Sequence, residues 1–401
     1  MKIIADYLKH DLGMPQLETW GEIRAAYLER AANMVKHDFQ SPSYLYSMES
    51  QAGRREGKII GNINDYTRDQ HDLALVYEAK YSKAYLPRIG LLPLEPYVTS
   101  SGMAALTTAI VAIHRAIGVN VTVLVGKHSY FQNLEVIESS FNKVIIFDET
   151  NRKKYLDLMR GEKPRVIFVD SLCNEVELTR PKVDEIIKDF AGLVAKPSYV
   201  VIDNSMLSIK FDWRAVLRQR SSKFGIIGFE SLNKYHQFGI DRTTGGIVFG
   251  TGKMNLHLVQ ARRHAGTIMP DINVAMLPSP NYKMLKLYIE RIWENRERLA
   301  VILGDKVVAS GGQVVVKFDR KMSYAKIQKV IKTICWKAKK QRVQIVAGTS
   351  FGMPNTRVYL TAKDSKYTKM FLRVSCGCED EKEFEKVIGV ISSVVSTENY
   401  W

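Results

Sequence analysis

Apolar residues along this chain fall into two alternating rhythms. Short runs rich in Val, Ile, Phe and Tyr recur at Glu95–Thr99, Val121–Val125, Val144–Phe147, Arg165–Val169, Tyr199–Ile202, Phe224–Phe229 and Gly246–Phe249. Their length and β-branched content predict seven strands. Between them lie stretches of helical period, such as MAALTTAIVAIHRAIG after Gly102 and PKVDEIIKDFAGLVA, where Pro181 is placed in a first helical turn. Strands alternating with helices predict an α/β fold: a mostly parallel sheet covered on both faces. Upstream, LETWGEIRAAYLERAANMVKH reads as a helix, followed by a polar, Gly-containing arm. Downstream, Pro278 and Pro280 mark a boundary before a long helix in NYKMLKLYIERIWENRERLAVIL. The remainder, from GGQVVVKFD through an alternating run at Phe371–Val374 to a closing helix at Glu381–Val395, suits a small α+β domain. The expected division is an N-terminal helix and arm (1–65), a large domain (66–265) and a small C-terminal domain (266–401).

Composition narrows the class without naming a function. With 401 residues, 46% hydrophobic and 25% charged, the chain has the make-up of an ordinary globular protein. No apolar run approaches the roughly 18–20 residues needed to cross a bilayer. The opening MKIIADYLKHDLGMPQ meets acids and Pro before a secretory apolar core could form, so a cytoplasmic location is expected. Cys173, Cys335, Cys376 and Cys378 lack the paired spacing of a zinc site and read as reduced thiols, with no metal expected. The excess of 58 Lys+Arg over 42 Asp+Glu gives a net charge of +16. Such a balance can mark a nucleic-acid surface or an anionic ligand. Here the basic residues are spread along the chain, and the densest cluster, Lys337, Lys339, Lys340 and Arg342, falls at a helix end without a binding motif. A solvated basic face is the reading adopted, with no nucleic-acid or membrane partner expected.

Four positions carry candidate chemistry. In TSSGMAAL a strand ends, a small-residue turn follows and a helix begins, aiming the N–H groups around Ser101, Gly102 and Met103 at an anion such as phosphate. The same turn alone could be an ordinary N-cap. Asp203 ends the apolar run YVVID, at the strand edge where ligands bind in such sheets, although a capping Asp would look the same. Lys234 follows another strand in GFESLNKYHQFG; desolvated there, it could lose its proton and attack an aldehyde, and Ser231 and Asn233 could complete a phosphate cradle. A surface-loop lysine is the alternative, disfavoured because Gly102, Asp203 and Lys234 fall at successive strand ends. Arg373, inside the apolar run of FLRVSCGCED, needs an anionic partner: either a substrate α-carboxylate or a structural acid. Amine, acid, phosphate cradle and carboxylate clamp are what a pyridoxal 5'-phosphate (PLP) site requires of its protein.

At these residues the sequence resembles the Cys/Met-metabolism PLP enzymes, which include cystathionine γ-synthase, cystathionine γ-lyase, methionine γ-lyase and O-acetylhomoserine sulfhydrylase. The family's S-S-G-M-A-A stands at Ser100–Ala105, its V-D-N-[TS] at Ile202–Ser205, its S-x-[TN]-K-Y at Ser231–Tyr235 and its R-x-S-x-G-x-E-D at Arg373–Asp380. The resemblance covers about Asp65 to Asp380 and implies the PLP-dependent transferase fold type I. It implies a Schiff base on Lys234, Asp203 on the pyridine nitrogen, Tyr130 stacked on the ring as a proton carrier and Asn174 beside the cofactor hydroxyl. Arg373 and Ser350 would bind the substrate carboxylate. Tyr66 and Arg68 would reach the phosphate of a neighbouring subunit, making a homo-oligomer, a dimer of dimers, with the N-terminal arm at the subunit contact. The chain departs from the family pattern in three places. Asp69, Gln70, His71 and Asp72 replace G-N-P-T; Phe131, Gln132 and Asn133 replace small residues; Lys283–Arg291 stands where R-G-L-K-T-L is usual. The expected activity is γ- or β-elimination or replacement on a homoserine- or cysteine-derived amino acid. Aminotransferase or β-lyase chemistry is the enzymatic alternative, and a non-catalytic nucleic-acid-binding relative the other.

Overall fold

In the computed structural model, which describes residues 2–40, 71–87, 94–194, 196–219, 224–318, 323–362 and 369–396, all seven β-rich runs join one sheet. The strands are β1 (Pro96–Thr99), β2 (Thr122–Gly126), β3 (Lys143–Phe147), β4 (Val166–Asp170), β5 (Ser198–Asp203), β6 (Phe224–Ser231) and β7 (Gly246–Gly250). Their order is β1-β7-β6-β5-β4-β2-β3. Every pairing is parallel except those of β7, which runs against both β1 and β6. The C-terminal ends of β1, β4, β5 and β6 therefore open onto one edge of the sheet.

Alternation within each strand feeds two apolar layers. Val123, Val125, Phe168, Val201 and Phe229 pack beneath the helix Gly102–Ile117 through Leu106, Ala109 and Ile113. Leu124, Ile167, Val169, Val200 and Ile202 face the opposite way, against Tyr81, Ile186, Ile187 and Phe190. Burial on both faces is why these strands read as nearly unbroken apolar runs.

A second, smaller sheet contains β8 (Val307–Ser310), β9 (Gln313–Val316), β10 (Val346–Ala347), β11 (Arg357–Thr361) and β12 (Phe371–Ser375), in the order β10-β11-β12-β9-β8. Only β9 and β12 are predicted from the sequence. The other three are short or carry exposed positions, such as Val346 at 42% and Tyr359 at 37%, and so lack an apolar run. This sheet shares a core with the helices Tyr282–Leu303, Tyr324–Lys340 and Glu381–Val395, and with Ile4, Leu8, Ile23 and Tyr27 from the N-terminal helices Lys2–Leu12 and Trp20–Gln40. Between the two cores, Leu172, Leu178 and Leu207 meet Val315 and Phe371.

Two helix boundaries differ from the sequence reading. The helix expected from Leu17 starts at Trp20, because Thr19 and Glu22 form a reciprocal capping box: Glu22 N–H donates to Thr19 Oγ1 at 3.2 Å and Thr19 N–H to Glu22 Oε2 at 2.9 Å. The helix expected at Pro181 starts at Val183. Lys2–Leu12 and Asp72–Tyr85 are helices that the sequence reading did not include. The latter buries Tyr77 and Tyr81, and its Glu78 carboxylate accepts the Val98 N–H at 2.8 Å and pairs with Arg262, which ties it to β1. No helix among the described residues is long and apolar enough to cross a membrane.

Strand β7 meets the turn after β1 so closely that a Cβ on Gly246 would lie 2.2 Å from the Ser101 carbonyl oxygen and 2.5 Å from its carbon. Backbone cannot yield there as a side chain would. Gly246→Ala is expected to cost about 3 kcal/mol, read as a lowered denaturation midpoint. A midpoint equal to that of the wild type would contradict the packing described.

Candidate active site

Three parallel strands bring their last residues to one cavity. Asp170 ends β4 and lies in register with Asp203 at the end of β5, while Ser231 ends β6. Beside them, Ser101 caps the helix Gly102–Ile117, its side chain accepting the Ala104 N–H at 3.0 Å. This leaves the first-turn N–H groups of Gly102 and Met103 without an intrahelical acceptor. Gly102 is packed against Ser231: a Cβ there would sit 2.9 Å from Ser231 Cβ. Asn233 orders the same corner by accepting the Gly245 N–H at 2.7 Å through Oδ1.

Lys234 lines the same cavity, three residues beyond Ser231. Its Nζ donates to Ser350 Oγ at 3.2 Å and lies 5.0 Å from the centre of the Phe351 ring. Burial, reinforced by the nearby Arg373 charge, pushes its amine from 10.5 down to about 8. The loop carrying Ser350 and Phe351 can press this close because Gly352 adopts φ +70 and a Cβ on it would fall 2.7 Å from the Lys234 carbonyl carbon.

Arg373 projects from β12 and is buried. One of its Nη atoms donates to the Thr349 carbonyl, its Nε has no partner, and it forms no ion pair with an acid among the described residues. The structural salt bridge left open by the sequence is therefore absent among those residues. Burial alone brings this guanidinium to about 10. A buried cation with unused donors facing a cavity is a ready site for a carboxylate.

The acids show the opposite pattern. Burial raises Asp170 well above the ordinary carboxylate range, and the Asp203 charge beside it adds to the effect. Asp203 is also raised by burial, but it is relieved by the Ser205 N–H on Oδ1 and the Asn133 Nδ2 on Oδ2, both at 2.9 Å. Of the two, Asp203 is the one equipped to carry the negative charge. Tyr130 is anchored by its own N–H to Asp170 Oδ2 at 3.0 Å, and its phenol donates to Gln132 Oε1 at 2.8 Å. Burial holds the phenol above its ordinary value, so it stays protonated at neutral pH. Asn174 is placed by its N–H on the His128 carbonyl at 3.0 Å, and its Oδ1 is buried without a partner.

The cavity these residues enclose measures about 540 Å³. Ser101, Gly102, Met103, Tyr130, Asn174, Asp203, Ser231, Asn233, Lys234 and Arg373 all line it, and Ser350 joins them through Lys234. Tyr66 and Arg68 lie outside the described residues. Sequence reasoning missed Asp170, Asn133, Phe351 and Tyr359, which also line the cavity. Asp170 had a usable signal, since VIFVD ends on an acid as YVVID does. Asn133 had only the departure from small residues after Tyr130.

The seven-stranded, mostly parallel sheet with a second small sheet matches the architecture of fold type I PLP enzymes. A cystathionine gamma synthase from Xanthomonas oryzae pv. oryzae, in complex with cystathionine, superposes with a TM-score of 0.65 at 15% identity, covering 83% of this chain and 88% of that one. A cystathionine gamma-lyase from Lactobacillus plantarum, complexed with L-serine, gives 0.63 at 14%, covering 83% and 89%. The metY protein of Campylobacter jejuni, whose structure holds N'-pyridoxyl-lysine-5'-monophosphate, gives 0.63 at 14%, covering 86% and 91%. At such identities the fold is what is shared. By sequence, the chain is 25% identical over 313 residues to the bifunctional enzyme flvA of Aspergillus flavus, a match that takes in 70% of this chain and 37% of that protein. The chain thus spans little more than a third of that curated relative. No family model matches.

The Lys234 environment has a direct readout. Competitive labelling of the coenzyme-free protein with an amine reagent, followed by peptide mass spectrometry, is expected to give half-maximal reactivity near pH 8 at Lys234 and about 10.4 at exposed lysines. Because the folded value lies below the unfolded one, this amine's contribution to stability is complete only above about pH 10.4 and is lost as pH falls through 8. A Lys234 midpoint near that of the surface lysines would contradict the burial described.

Proposed function

We propose that this protein is a PLP-dependent enzyme of amino-acid metabolism that catalyses γ-elimination or γ-replacement on a homoserine- or cysteine-derived amino acid. The observation that carries the reading is the convergence of a desolvated amine, a buried carboxylate and a buried, acid-free guanidinium on one cavity. The residues fit the coenzyme on independent grounds. At about 540 Å³ the cavity falls within the range of small-molecule sites. Asn174 Oδ1 and Arg373 Nε are buried polar atoms awaiting partners. The close packing of Gly102 on Ser231 brings helix N–H groups and hydroxyls to one corner, as a phosphate requires.

In this reading Ser101, Gly102, Met103, Ser231 and Asn233 hold the phosphate, with Tyr66 and Arg68 contributed by a neighbouring subunit of a homotetramer. Residues 66–265 form the coenzyme-binding domain and 266–401 the smaller one. Asp203 pairs with the ring nitrogen, Tyr130 covers the ring face and Asn174 meets the ring hydroxyl. Pyridoxal phosphate supplies an aldehyde that takes up a primary amine and a ring that accepts the electron pair left when a bond at the amino-acid Cα breaks. Arg373, beside Ser350, grips the substrate carboxylate with its unused donors and so fixes which Cα bond is presented. With its amine near 8, Lys234 can take a proton from Cα and return it elsewhere at neutral pH. Its contacts with Ser350 and Phe351 fix where the amine stands in the cavity. The Tyr130 phenol, kept protonated by burial, can donate to a leaving group.

The test is to purify the protein with PLP, record its visible spectrum, and assay amino acids bearing β- or γ-leaving groups by product. Release of 2-oxobutanoate or formation of a γ-replaced amino acid supports the proposal. Pyruvate or a transaminated 2-oxo acid would redirect it to β-lyase or aminotransferase chemistry, and absence of any visible band would overturn it. Arg373→Ala is expected to raise KM for the amino acid about 10- to 100-fold while leaving the coenzyme band in place. An unchanged KM would remove Arg373 from the substrate site.

A further inference from the structure

Residues Phe131, Gln132 and Asn133 stand where the family pattern has small residues, and Asn133 does more than fill space. It is 3% exposed, in the first turn of the helix Phe131–Ser140, and its N–H donates to the Tyr130 carbonyl at 2.9 Å. Tyr130 is itself tied through its N–H to Asp170 Oδ2 at 3.0 Å. The turn that carries Asn133 is thus tied to the end of β4, while the Asn133 Nδ2 reaches Asp203 Oδ2 on β5 at 2.9 Å. The other Asp203 oxygen receives the Ser205 N–H at 2.9 Å, and Ser205 Oγ in turn accepts the Ser231 N–H from β6, also at 2.9 Å.

We propose that Asn133 is a positioning residue for the Asp203 carboxylate, fixing the plane in which that carboxylate meets the coenzyme ring. The inference rests on the PLP reading above and deepens it. One donor on each oxygen stops the carboxylate from turning about its Cβ–Cγ bond. Each oxygen of a carboxylate accepts more than one hydrogen bond, so acceptor capacity remains for the cavity side. A small residue at 133 has no amide with which to do this. The Ser205 contact alone is local, two residues along the chain, and fixes one oxygen only. Asn133 also offsets part of the cost of burying a charge beside Asp170 on β4 and near Glu230 on β6, with the cations Lys234 and Arg373 and the phenol of Tyr130 on the cavity side.

The test compares PLP dissociation constants for wild type, Asn133→Ala and Asn133→Asp, by equilibrium dialysis of stripped protein and by the visible spectrum. Thermal melting without coenzyme checks folding. Asn133→Ala is expected to bind PLP about tenfold more weakly or worse, with a changed ratio of visible to near-ultraviolet absorbance. Asn133→Asp gives a readout that a merely structural role would not move. Near pH 9 its second anion faces Asp203 and weakens binding further. Near pH 6 a shared proton restores a donor, so affinity relative to wild type at the same pH recovers by about tenfold or more. If both variants match wild-type affinity and spectrum, or if the Asn133→Asp defect does not change with pH, the positioning role is overturned. If the wild type takes up no PLP at all, the functional reading fails first and the inference with it.

Discussion

The site depends on how closely the Thr349–Gly352 loop approaches the backbone of Lys234. The loop leaves the smaller sheet's core and lays Ser350 and Phe351 over the lysine amine. The approach is possible because residue 352 has neither a Cβ nor an objection to positive φ. Tyr288, on the long helix Tyr282–Leu303, fixes the loop from behind by donating its hydroxyl proton to the Gly352 carbonyl at 3.0 Å. The contact adds to the burial that lowers the basicity of the amine. Lys234 sits where the chain passes from Leu232, packed in the larger sheet's core, to Tyr235, packed in the same core as Phe351.

The larger sheet explains the rest of the arrangement. Because β4, β5 and β6 run the same way, whatever residues end them must meet at one edge. Two acids and a serine end them here, and the strand-end turn before Gly102–Ile117 adds helix N–H groups to the same edge. The carboxylates thus share one cavity with Lys234 and Arg373. Among the carboxylates, the donors from Ser205 and Asn133 single out Asp203 as the one that can stay ionised.

Most of this was legible in the sequence because burial on both faces writes itself as apolar runs. The central strands carry that mark, and the helices Gly102–Ile117, Tyr282–Leu303 and Glu381–Val395 carry the helical apolar period of a one-sided burial. Lys2–Leu12 did not, since it buries only Ile4 and Leu8. Asp72–Tyr85 hides its inner face in tyrosines and a buried Glu78, which no count of aliphatic residues detects. Strands β8, β10 and β11 are half exposed or two to five residues long and leave no periodic trace. In the site, Lys234, Asp203 and Arg373 could be read because each follows or interrupts an apolar run. The Asn133 contact could not, because it joins residues 70 positions apart and is visible only once the helix Phe131–Ser140 lies against the end of β5. The net charge of +16 is also not a property of the site. Lysines such as Lys326, Lys329, Lys332 and Lys339 are exposed on the helix Tyr324–Lys340, away from the residues that line the cavity.

The central claim, that the amine at position 234 is the covalent attachment point for the coenzyme, has one most direct measurement. The protein is incubated with PLP, reduced with borohydride, digested and mapped by mass spectrometry. The account predicts a pyridoxyl mass on the peptide containing Lys234, at close to one per chain. A label found on another lysine, or scattered over the exposed lysines with none at 234, would contradict it.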